Sequence, residues 1–314
     1  VWFMINKEEE FDIIYKNLYD KYFTKFEKMR MDDKKDSKIS LLGVGLIFLA
    51  ALMVEIYLEE KNNILLYIAI ILGTSGVAIC AVQIRKESNY YELYKKQVIT
   101  EFVSYILPGC KYLPDVEIEE KNKMINLYEK AEFDTEPFNR SESDDYIFGN
   151  INNIEIKICD LNTYYEEYIK NNEKRQKNRF KGLFVNAKLS NLKNIEIKIL
   201  NKNRNENRTK VKLDNDEFNN NFTVVSNSAI EVYEIITADV IQILNDCLEK
   251  NKIKFDISIK NNIINFRFYT DPIFEPARNE QVMKKDSFYR YYNIFDYVIN
   301  FLTTINKIYE DLNF

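Results

Sequence analysis

Hydrophobic positions fall into three successive patterns along the chain. From residue 11 to residue 29, apolar side chains recur every three or four positions, the spacing of one face of an amphipathic helix: Phe11, Ile14, Leu18, Tyr22, Phe26 and Met29. Two uninterrupted apolar runs follow, at 39–58 and 64–84. Beyond Pro114, short β-branched and aromatic runs separated by Asn-rich turns are typical of strands. The pattern predicts an amphipathic helix, a helical hairpin and a strand-rich domain, in that order.

The two apolar runs predict a transmembrane hairpin. They are 20 and 21 residues long and contain one charged residue, Glu55, and about 20 residues suffice for a helix to cross a bilayer. The five polar residues from Glu59 to Asn63 allow only a tight reversal, so both flanks lie on the same side. Ten Lys and Arg residues lie within fifteen residues of those flanks, whereas the link contains one, Lys61. Because cytoplasmic loops are enriched in basic residues, we expect a multi-pass protein of the cell inner (plasma) membrane with both termini in the cytoplasm.

Small residues in the second run predict a close helix contact. Ala69 and Gly73 lie four positions apart, and small residues at this spacing let helix backbones approach each other. The contact is either internal to the hairpin or between two copies of the chain, and both possibilities stay open here.

The helices are predicted to continue beyond the membrane. No Gly or Pro occurs between Val77 and Leu107, and an apolar stripe runs through the second half of this segment: Tyr91, Tyr94, Val98, Phe102 and Ile106. Since both amphipathic segments leave the membrane on the same side, we expect them to pack together; the alternative is that the first one lies flat on the lipid. The charged stretch at 31–38 is expected to break the first helical pattern before the membrane.

The complete chain is predicted to be α+β: a two-helix transmembrane hairpin with a helical cytoplasmic stalk, followed by a mostly antiparallel β-sheet domain with a C-terminal helix. Hairpin turns are predicted at Asn152-Asn153 and Asn261-Asn262, and a helix over 237–250 that Thr237 can cap. The last helix follows Ser287, and we expect it to pack on the sheet, with a coiled-coil partner as the alternative. The predicted regions are an N-terminal amphipathic helix at 1–38, the hairpin at 39–84, a juxtamembrane helix at 85–109 and a cytoplasmic α+β domain at 110–314.

Composition removes several kinds of catalytic site. The chain contains no His, which excludes imidazole bases, Ser-His-Asp triads and His-containing metal sites. The four cysteines form no Cys-x-x-Cys pair, so we expect unreactive thiols, mostly buried, at Cys80, Cys110, Cys159 and Cys247. We interpret the acidic stretch at 141–145 as a solvated turn, with an acidic cluster for a metal as the alternative. We interpret Glu275 in "FEPA" as part of a structural latch, with a catalytic role as the alternative. No catalytic residue, cofactor or metal ligand is predicted.

Two basic tracts, at 170–181 and 201–212, are the candidate binding sites. The residues that we single out are Lys174, Arg175, Lys177, Arg179, Lys202, Arg204 and Arg208. If the flanking strands form a simple meander, both tracts are loops at the same end of the sheet, where their charge would suit the anionic inner leaflet. The alternative is that they are solvated loop tips without a ligand. Nucleic acid is not expected as a partner, because the net charge is −5 and aromatic residues are not interleaved with the basic ones.

Four blocks of sequence resemble a known family: "YKKQVITEFVSYILPGCKYLPD" (94–115), "FKGLFVNAKL" (180–189), "DEFNNNFTVVSNSAIEVYEIIT" (216–237) and "IFEPA" (273–277). Together they are similar to the bacterial proteins grouped as domain of unknown function (DUF) 3137, over roughly residues 85–314. The resemblance implies a bacterial integral membrane protein with a helical hairpin ahead of a strand-rich domain. It implies no reaction and no catalytic residue, and it suggests LemA-type membrane proteins as partners.

These features predict a membrane-anchored cytoplasmic binding or scaffold domain that contacts the bilayer and a membrane protein or a second copy of the chain. Two other classes stay open. A membrane-bound, carboxylate-dependent enzyme would need a concave pocket with two or more buried acidic groups. An accessory subunit of a membrane assembly or transporter would use the Ala69 and Gly73 face as its contact.

Overall fold

The computed structural model describes residues 7–134, 136–168, 174–190, 194–201, 209–272, 274–277 and 280–312. The chain divides into two compact units. The helical unit contains residues 15–98 and 275–284, and the sheet unit contains the described residues before, between and after these two segments. Each unit is described by itself below.

Two long antiparallel helices form the predicted hairpin. Helix α1 (Lys7–Glu60) and helix α2 (Asn63–Tyr94) are joined by Lys61 and Asn62. Lys61 adopts a positive φ of 59°, and the Asn62 side chain accepts a hydrogen bond of 3.1 Å from the Ile64 backbone N–H. The asparagine therefore caps the second helix directly after the reversal. Both helices are long and apolar enough to cross a membrane.

The backbones of the hairpin come closest at two glycines. A Cβ atom placed on Gly76 would lie 2.6 Å from the Gly43 carbonyl oxygen, and one placed on Gly43 would lie 3.0 Å from the Gly76 carbonyl oxygen. Neither position can accept a side chain without moving the helices apart, so the glycines fix the separation of the two helix axes at this level.

The charged stretch at 31–38 breaks the apolar pattern without ending α1. It contains no Gly or Pro, and its Lys, Met and Asp residues are compatible with a helical backbone. An apolar stripe is required only where a helix buries a face, so the loss of the stripe marks a change of surroundings and not the end of the helix.

The parts of the two helices beyond the apolar runs pack against each other within the helical unit, in agreement with the first of the two alternatives. Phe26 is fully buried, and its ring centroid lies 6.4 Å from that of Tyr90 and 5.5 Å from that of Tyr94. Lys25 Nζ donates to Gln97 Oε1 at 2.7 Å. Helix α2 continues as predicted: a π-helical turn (Lys95–Ile99) leads into α3 (Thr100–Ile106).

The sheet unit is built on nine described strands, and every pair among them is antiparallel. Their spatial order is β1-β2-β3-β4-β9-β8-β5-β7-β6. The strands are β1 (Cys110–Leu113), β2 (Arg140–Ile151), β3 (Ile154–Tyr168), β4 (Lys174–Lys188), β5 (Glu196–Asn201), β6 (Lys210–Val211), β7 (Phe222–Ser226), β8 (Phe255–Lys260) and β9 (Ile263–Phe268). The α+β class and the antiparallel sheet are thereby confirmed.

Both predicted hairpin turns are present. Asn152 and Asn153 connect β2 to β3 with φ values of 50° and 64°, and Asn261 has a φ of 58° between β8 and β9. Asparagine tolerates the left-handed region better than other non-glycine residues, which is why these Asn pairs were informative in the sequence.

Helices cover both faces of the sheet. They are α4 (Ile118–Lys130), α5 (Asp216–Asn221), α6 (Ala229–Ile235), α7 (Ala238–Asn251) and α8 (Lys285–Asp311). On one face, here the α4 face, the Tyr128 ring stacks on Phe180 of β4 at 5.3 Å. On the opposite face, the α8 face, Phe301 packs edge-on against Phe266 of β9 at 5.2 Å. The C-terminal helix therefore packs on the sheet, as expected.

The sequence did not reveal β1, α4, α5 or α6. These elements are short or lack a regular apolar period, so pattern alone does not distinguish them from loops. Thr237 stands at the N-cap position of α7, as predicted, but its side chain makes no capping hydrogen bond.

The glycine contact leads to a first prediction. In Gly76→Leu, the new side chain meets the Gly43 carbonyl, and forced overpacking of this kind costs about 1–3 kcal/mol. We expect a lower midpoint of thermal unfolding in detergent, followed by circular dichroism. Gly45→Leu is the matched control, because no described atom lies within 4 Å of a Cβ at that position in the same helix. Equal midpoints for the two variants would contradict the prediction.

Candidate functional site

The described part of the first basic tract lies on a strand and not on a loop. Lys174 to Lys181 belong to β4, and beyond Tyr164, the last β3 residue that pairs with β2, strands β3 and β4 continue as a two-stranded ribbon. The prediction of a loop was wrong from Lys174 onward, because cross-strand pairing with β3 keeps this polar stretch extended. Lys170 lies outside the described residues.

Acidic neighbours neutralise part of this basic ribbon. Lys174 Nζ lies 3.3 Å from Glu166, and Lys177 Nζ lies 3.2 Å from Glu136, which also pairs with Arg179. Hydrogen bonds from Gln176 and from Lys177 lower the pKa of Glu166 and of Glu136, respectively. Such exposed pairs contribute little to stability. A contact of Lys174, Arg175, Lys177 and Arg179 with an anionic surface stays a prediction.

The second basic tract can be located only by its flanks, because Lys202, Arg204 and Arg208 lie outside the described residues. Strand β5 ends at Asn201, and β9 and β8 separate it from β4. The simple meander was therefore wrong. Since each successive pair from β4 to β5 is antiparallel, the start of β4 and the end of β5 still point to the same end of the sheet. The register places Asn201 level with Leu183, so the start of β4 at Lys174 extends about 30 Å further along the strand direction.

The small residues Ala69 and Gly73 face the other helix of the same hairpin. Ala69 is buried, and a Cβ atom on Gly73 would lie 3.5 Å from the Cβ of Ala50. The two small residues therefore take part in the packing of the hairpin helices against each other. A contact with a second copy through these two residues stays a prediction and would have to compete with this packing.

Three aspartates, two of them from the stretch interpreted above as a solvated turn, converge on the α8 face of the sheet. Asp144, Asp145 and Asp160 each offer a carboxylate oxygen within 4.8 Å of the others, and together they are called the acidic bay. The pairing of β2 and β3 shifts register between Asp144 and Ile147, and this bulge gives Asp145 a φ of 54°. A β-bulge redirects side chains in just this way.

The acidic bay is largely closed to solvent. Asp145 is fully buried and Asp160 is 6% exposed. Tyr112 donates its hydroxyl hydrogen to Asp145, and the Asp145 backbone N–H donates to the Pro114 carbonyl at 3.1 Å. The interpretation of 141–145 as a solvated turn was therefore wrong, because the bulge turns one carboxylate inward where Tyr112 and the neighbouring strand stabilise it.

A cleft of about 330 Å³ opens beside the bay. Asp144 and Asp160 line it together with Lys181, Gly182 and Pro272. Gly182 has a φ of 149°, and a Cβ atom there would lie 1.9 Å from the Phe268 carbonyl oxygen. Only glycine fits where β4 passes the end of β9, so this position shapes the cleft wall.

The sequence did contain a signal for the bay. In a hairpin that turns at Asn152-Asn153, Ile151 pairs with Ile154, and counting outward places Asp145 opposite Asp160. The bulge replaces Asp145 by Asp144 in the observed pairing. Three close carboxylates can bind a hard cation through oxygen ligands, or share a proton because like charges resist joint ionisation.

A second polar cluster occupies the α4 face of the sheet. Arg267 of β9 is fully buried; its Nε donates to Asp256 at 2.8 Å, and its Nη1 donates to Asp134 at 2.7 Å and to the Tyr128 hydroxyl at 2.9 Å. Tyr269 donates its hydroxyl hydrogen to Asp256 at 3.0 Å. These five residues are called the arginine network.

Burial governs the ionisation of the arginine network. It raises the pKa of Asp256 to about 6, against the lowering effect of hydrogen bonds from the Asn201 backbone N–H and from Tyr269. The pKa of Tyr128 is raised by burial as well. The guanidinium carbon of Arg267 lies 4.6 Å from the centre of the Phe133 ring, a cation–π contact. Each group is satisfied by its neighbours, so the network holds α4 and the following loop on the sheet.

The thiols outside the apolar runs are unsuited to nucleophilic chemistry. Burial raises the pKa of Cys110 to about 11 and that of Cys247 to about 12, and it raises the pKa of the fully buried Cys159 well above the usual value. Reactive cysteines instead have lowered pKa values.

The arginine network leads to a second prediction. Asp256→Ala removes a buried partner of Arg267 and leaves a buried charge with fewer compensating groups, which costs about 3–5 kcal/mol. We expect denaturant unfolding of the detergent-solubilised protein to show a loss of this size. The control, Asp271→Ala, removes a 96% exposed carboxylate that lies 3.5 Å from Lys181. A loss for Asp256→Ala no larger than that for the control would contradict the structural role.

Comparison with protein families gives one match. Residues 178–307 match the family model described as "Protein of unknown function (DUF3137)". Three of the four sequence blocks quoted above lie in this range, and the block at 94–115 lies outside it.

Comparison with individual proteins adds little. A crystal structure of the mycobacterial trehalose monomycolate transport factor A, TtfA, is similar with a TM-score of 0.33 and 10% sequence identity, over 61% of this chain and 88% of that chain. A likeness of this extent does not define the fold. No curated protein matches the chain.

Proposed function

Because residues 178–307 belong to the DUF3137 family, whose description names no reaction, we propose that this protein is a membrane-anchored binding or scaffold domain. In this proposal the hairpin of α1 and α2 crosses the plasma membrane, and the sheet unit stays in the cytoplasm. Its partners are the lipid bilayer and a membrane protein, for which a LemA-type protein or a second copy of the chain are the candidates.

One observation supports the proposal of a membrane anchor. The most apolar windows of the two long helices are each only 11% buried, so they are not core helices of a soluble domain. Large side chains point away from the hairpin, such as Leu41, Phe48 and Ile71. Burying apolar surface contributes about 25 cal/mol per Å², and a bilayer provides that burial where water cannot.

The distribution of charge supports the orientation. Ten Lys and Arg residues flank the apolar runs on the stalk side, against Lys61 in the link, and basic flanks are retained in the cytoplasm. The link would then face the outside, and both the sheet unit and the stalk would face the cytoplasm.

A labelling experiment tests this topology and is the third prediction. In a variant without the native cysteines, Glu60→Cys in intact spheroplasts should react with a membrane-impermeant maleimide. Lys250→Cys, on an exposed position of α7, should react only after permeabilisation. The reverse pattern would show that the orientation is wrong, and release of the protein from membranes by alkaline carbonate would show that there is no integral anchor.

A carboxylate-dependent enzyme is the second candidate function. It is favoured by a specific observation, namely that the concave cleft beside the acidic bay contains the buried Asp160 and the carboxylate of Asp144. Carboxylates bind divalent cations such as Mg²⁺ and Ca²⁺, which can then activate water or a phosphate ester.

A titration tests this second function and is the fourth prediction. If the bay binds a divalent cation, calorimetry of the detergent-solubilised protein with Mg²⁺, Mn²⁺ or Ca²⁺ should give a dissociation constant at or below about 1 mM. Asp160→Asn should abolish the signal, and Asp271→Asn, outside the bay, should not. Failure of all three ions to bind the unsubstituted protein would remove this candidate.

A further inference from the structure

A groove of about 700 Å³ in the sheet unit, here called the α7 groove, runs along one face of helix α7. The helix contributes lining residues at intervals of three and four positions, from its first turn to its last: Ala238, Ile241, Gln242, Asn245, Asp246 and Glu249. From residue 238 to residue 249 a helix rises about 16 Å. An extended chain of about five residues spans that length, so the shape of the groove suits an elongated ligand.

A second wall of the groove comes from the loop before α5 and is fixed by hydrogen bonds. The Asn219 side chain donates to the Leu213 carbonyl at 2.6 Å and accepts from the Leu213 backbone N–H at 3.2 Å. Asn215 accepts from the Phe218 backbone N–H at 2.8 Å and so caps α5. Leu213 and Asn215 both line the groove. Because this wall is already ordered, a ligand would lose little affinity to ordering of the site.

Carboxylates are the charged groups of the α7 groove. Asp246 and Glu249 belong to α7, Glu217 belongs to the first turn of α5, and Asp214 lies in the loop before it. No Lys or Arg is among the described residues that line the groove. Complementary charge steers partners towards a site and suppresses partners of like charge, so the groove favours a cationic ligand.

A buried polar group in the groove lacks a hydrogen-bond partner. The Asn245 side chain is only 9% exposed and lines the groove, and no described residue donates to its Oδ1 atom. Leaving a buried acceptor unpaired is unfavourable. The backbone N–H of an extended peptide would satisfy this acceptor, and the Asn245 Nδ2 group can donate to a peptide carbonyl in return.

Apolar and aromatic side chains complete the groove. Ile236 is buried and Ile241 is half-buried, and both line it. Tyr233 also lines the groove and is more than half exposed. Its hydroxyl donates to the Lys212 carbonyl at 3.1 Å, which holds the ring in place. The face of an exposed aromatic ring attracts Lys and Arg side chains, so the aromatic and the acidic residues favour the same kind of ligand.

We propose that the α7 groove binds an extended, basic peptide segment of a partner protein. The peptide backbone would pair with Asn245, its apolar side chains would contact Ile236 and Ile241, and its Lys or Arg side chains would meet the carboxylates. The inference rests on the proposed binding function and names the chemistry of the partner. It concerns the sheet unit alone and does not depend on the hairpin crossing a membrane.

A peptide titration on the full-length protein in nanodiscs of zwitterionic lipid tests the groove and is the fifth prediction. The probe is a fluorescent peptide of about seven residues that alternates Arg and Val, because alternate side chains of an extended chain point in opposite directions. Fluorescence anisotropy should show saturable binding that weakens with added salt. A peptide with Glu in place of Arg should not bind, and empty nanodiscs give the background.

Two double variants separate local contacts from overall charge. Glu217→Gln with Glu249→Gln removes two carboxylates of the groove and should weaken binding about fivefold, the effect of two lost surface ion pairs. Asp216→Asn with Asp239→Asn is the matched control. It removes the same charge from exposed positions of the same two helices that do not line the groove, and it should leave the affinity unchanged.

A third variant, Asn245→Leu, separates ligand binding from a structural role. It replaces an unpaired buried amide by an apolar side chain of similar size, so the thermal midpoint of the free protein should stay the same or rise. Peptide binding should weaken about fivefold, because the hydrogen bond to the peptide backbone is lost. A residue that only stabilised the fold would give the opposite pair of results.

Loss of affinity in the groove variants, but not in the matched control, supports the proposal. It is overturned by the absence of saturable binding, by equal losses in the two double variants, or by unchanged affinity of Asn245→Leu. Complete displacement of the peptide by an equal concentration of spermidine would assign the groove to small cations and would also overturn it. Maleimide labelling tests the membrane anchor independently, so failure of the groove and failure of the anchor can be told apart.

Discussion

Helices α1 and α2 pack antiparallel, and the character of their contact changes along the axis. In the apolar runs the backbones approach at Gly43 and Gly76; in the stalk the contact is made by rings, with Phe26 between Tyr90 and Tyr94. The separation of the axes is set by backbone in one half and by aromatic side chains in the other. Val282 and Glu275 contact the aromatic half, at Glu27 and Lys95, respectively.

The sheet unit differs from the hairpin in that charged side chains are buried in its interior. Arg267 and Asp256 point to the α4 face, while the acidic bay lies on the α8 face. In the arginine network the charges are matched, since one guanidinium meets two carboxylates and a phenol. In the bay, three carboxylates lie close together. The matched charges of the arginine network are typical of a structural core. The close carboxylates of the acidic bay are the groups that could bind a ligand.

The composition of the chain and the ionisation of its thiols limit the chemistry that it could perform. The absence of His in the sequence removes the commonest general base, and the pKa values of three cysteines are raised and not lowered. The described residues contain a pair of long apolar helices in one unit and an antiparallel sheet with an acidic bay in the other.

The sequence by itself determined the long helices, most of the strands and the class of fold. Periodicity and length are local properties, so the apolar face from Phe11 to Met29 and the turns at Asn152-Asn153 and Asn261-Asn262 could be identified without knowledge of the rest of the chain. At 31–38 the apolar stripe is lost although the helix continues, because the stripe reports what a helix packs against and not whether the segment is helical.

Tertiary structure alone decided which distant groups meet. The insertion of β9 and β8 between β4 and β5 separates the two basic tracts that a meander would have joined, because strand order depends on long-range pairing. The burial of Arg267 and the ion pair between Lys95 and Glu275 likewise depend on residues far apart in sequence. Packing brings these groups together, and packing is a property of the whole chain that no local pattern encodes.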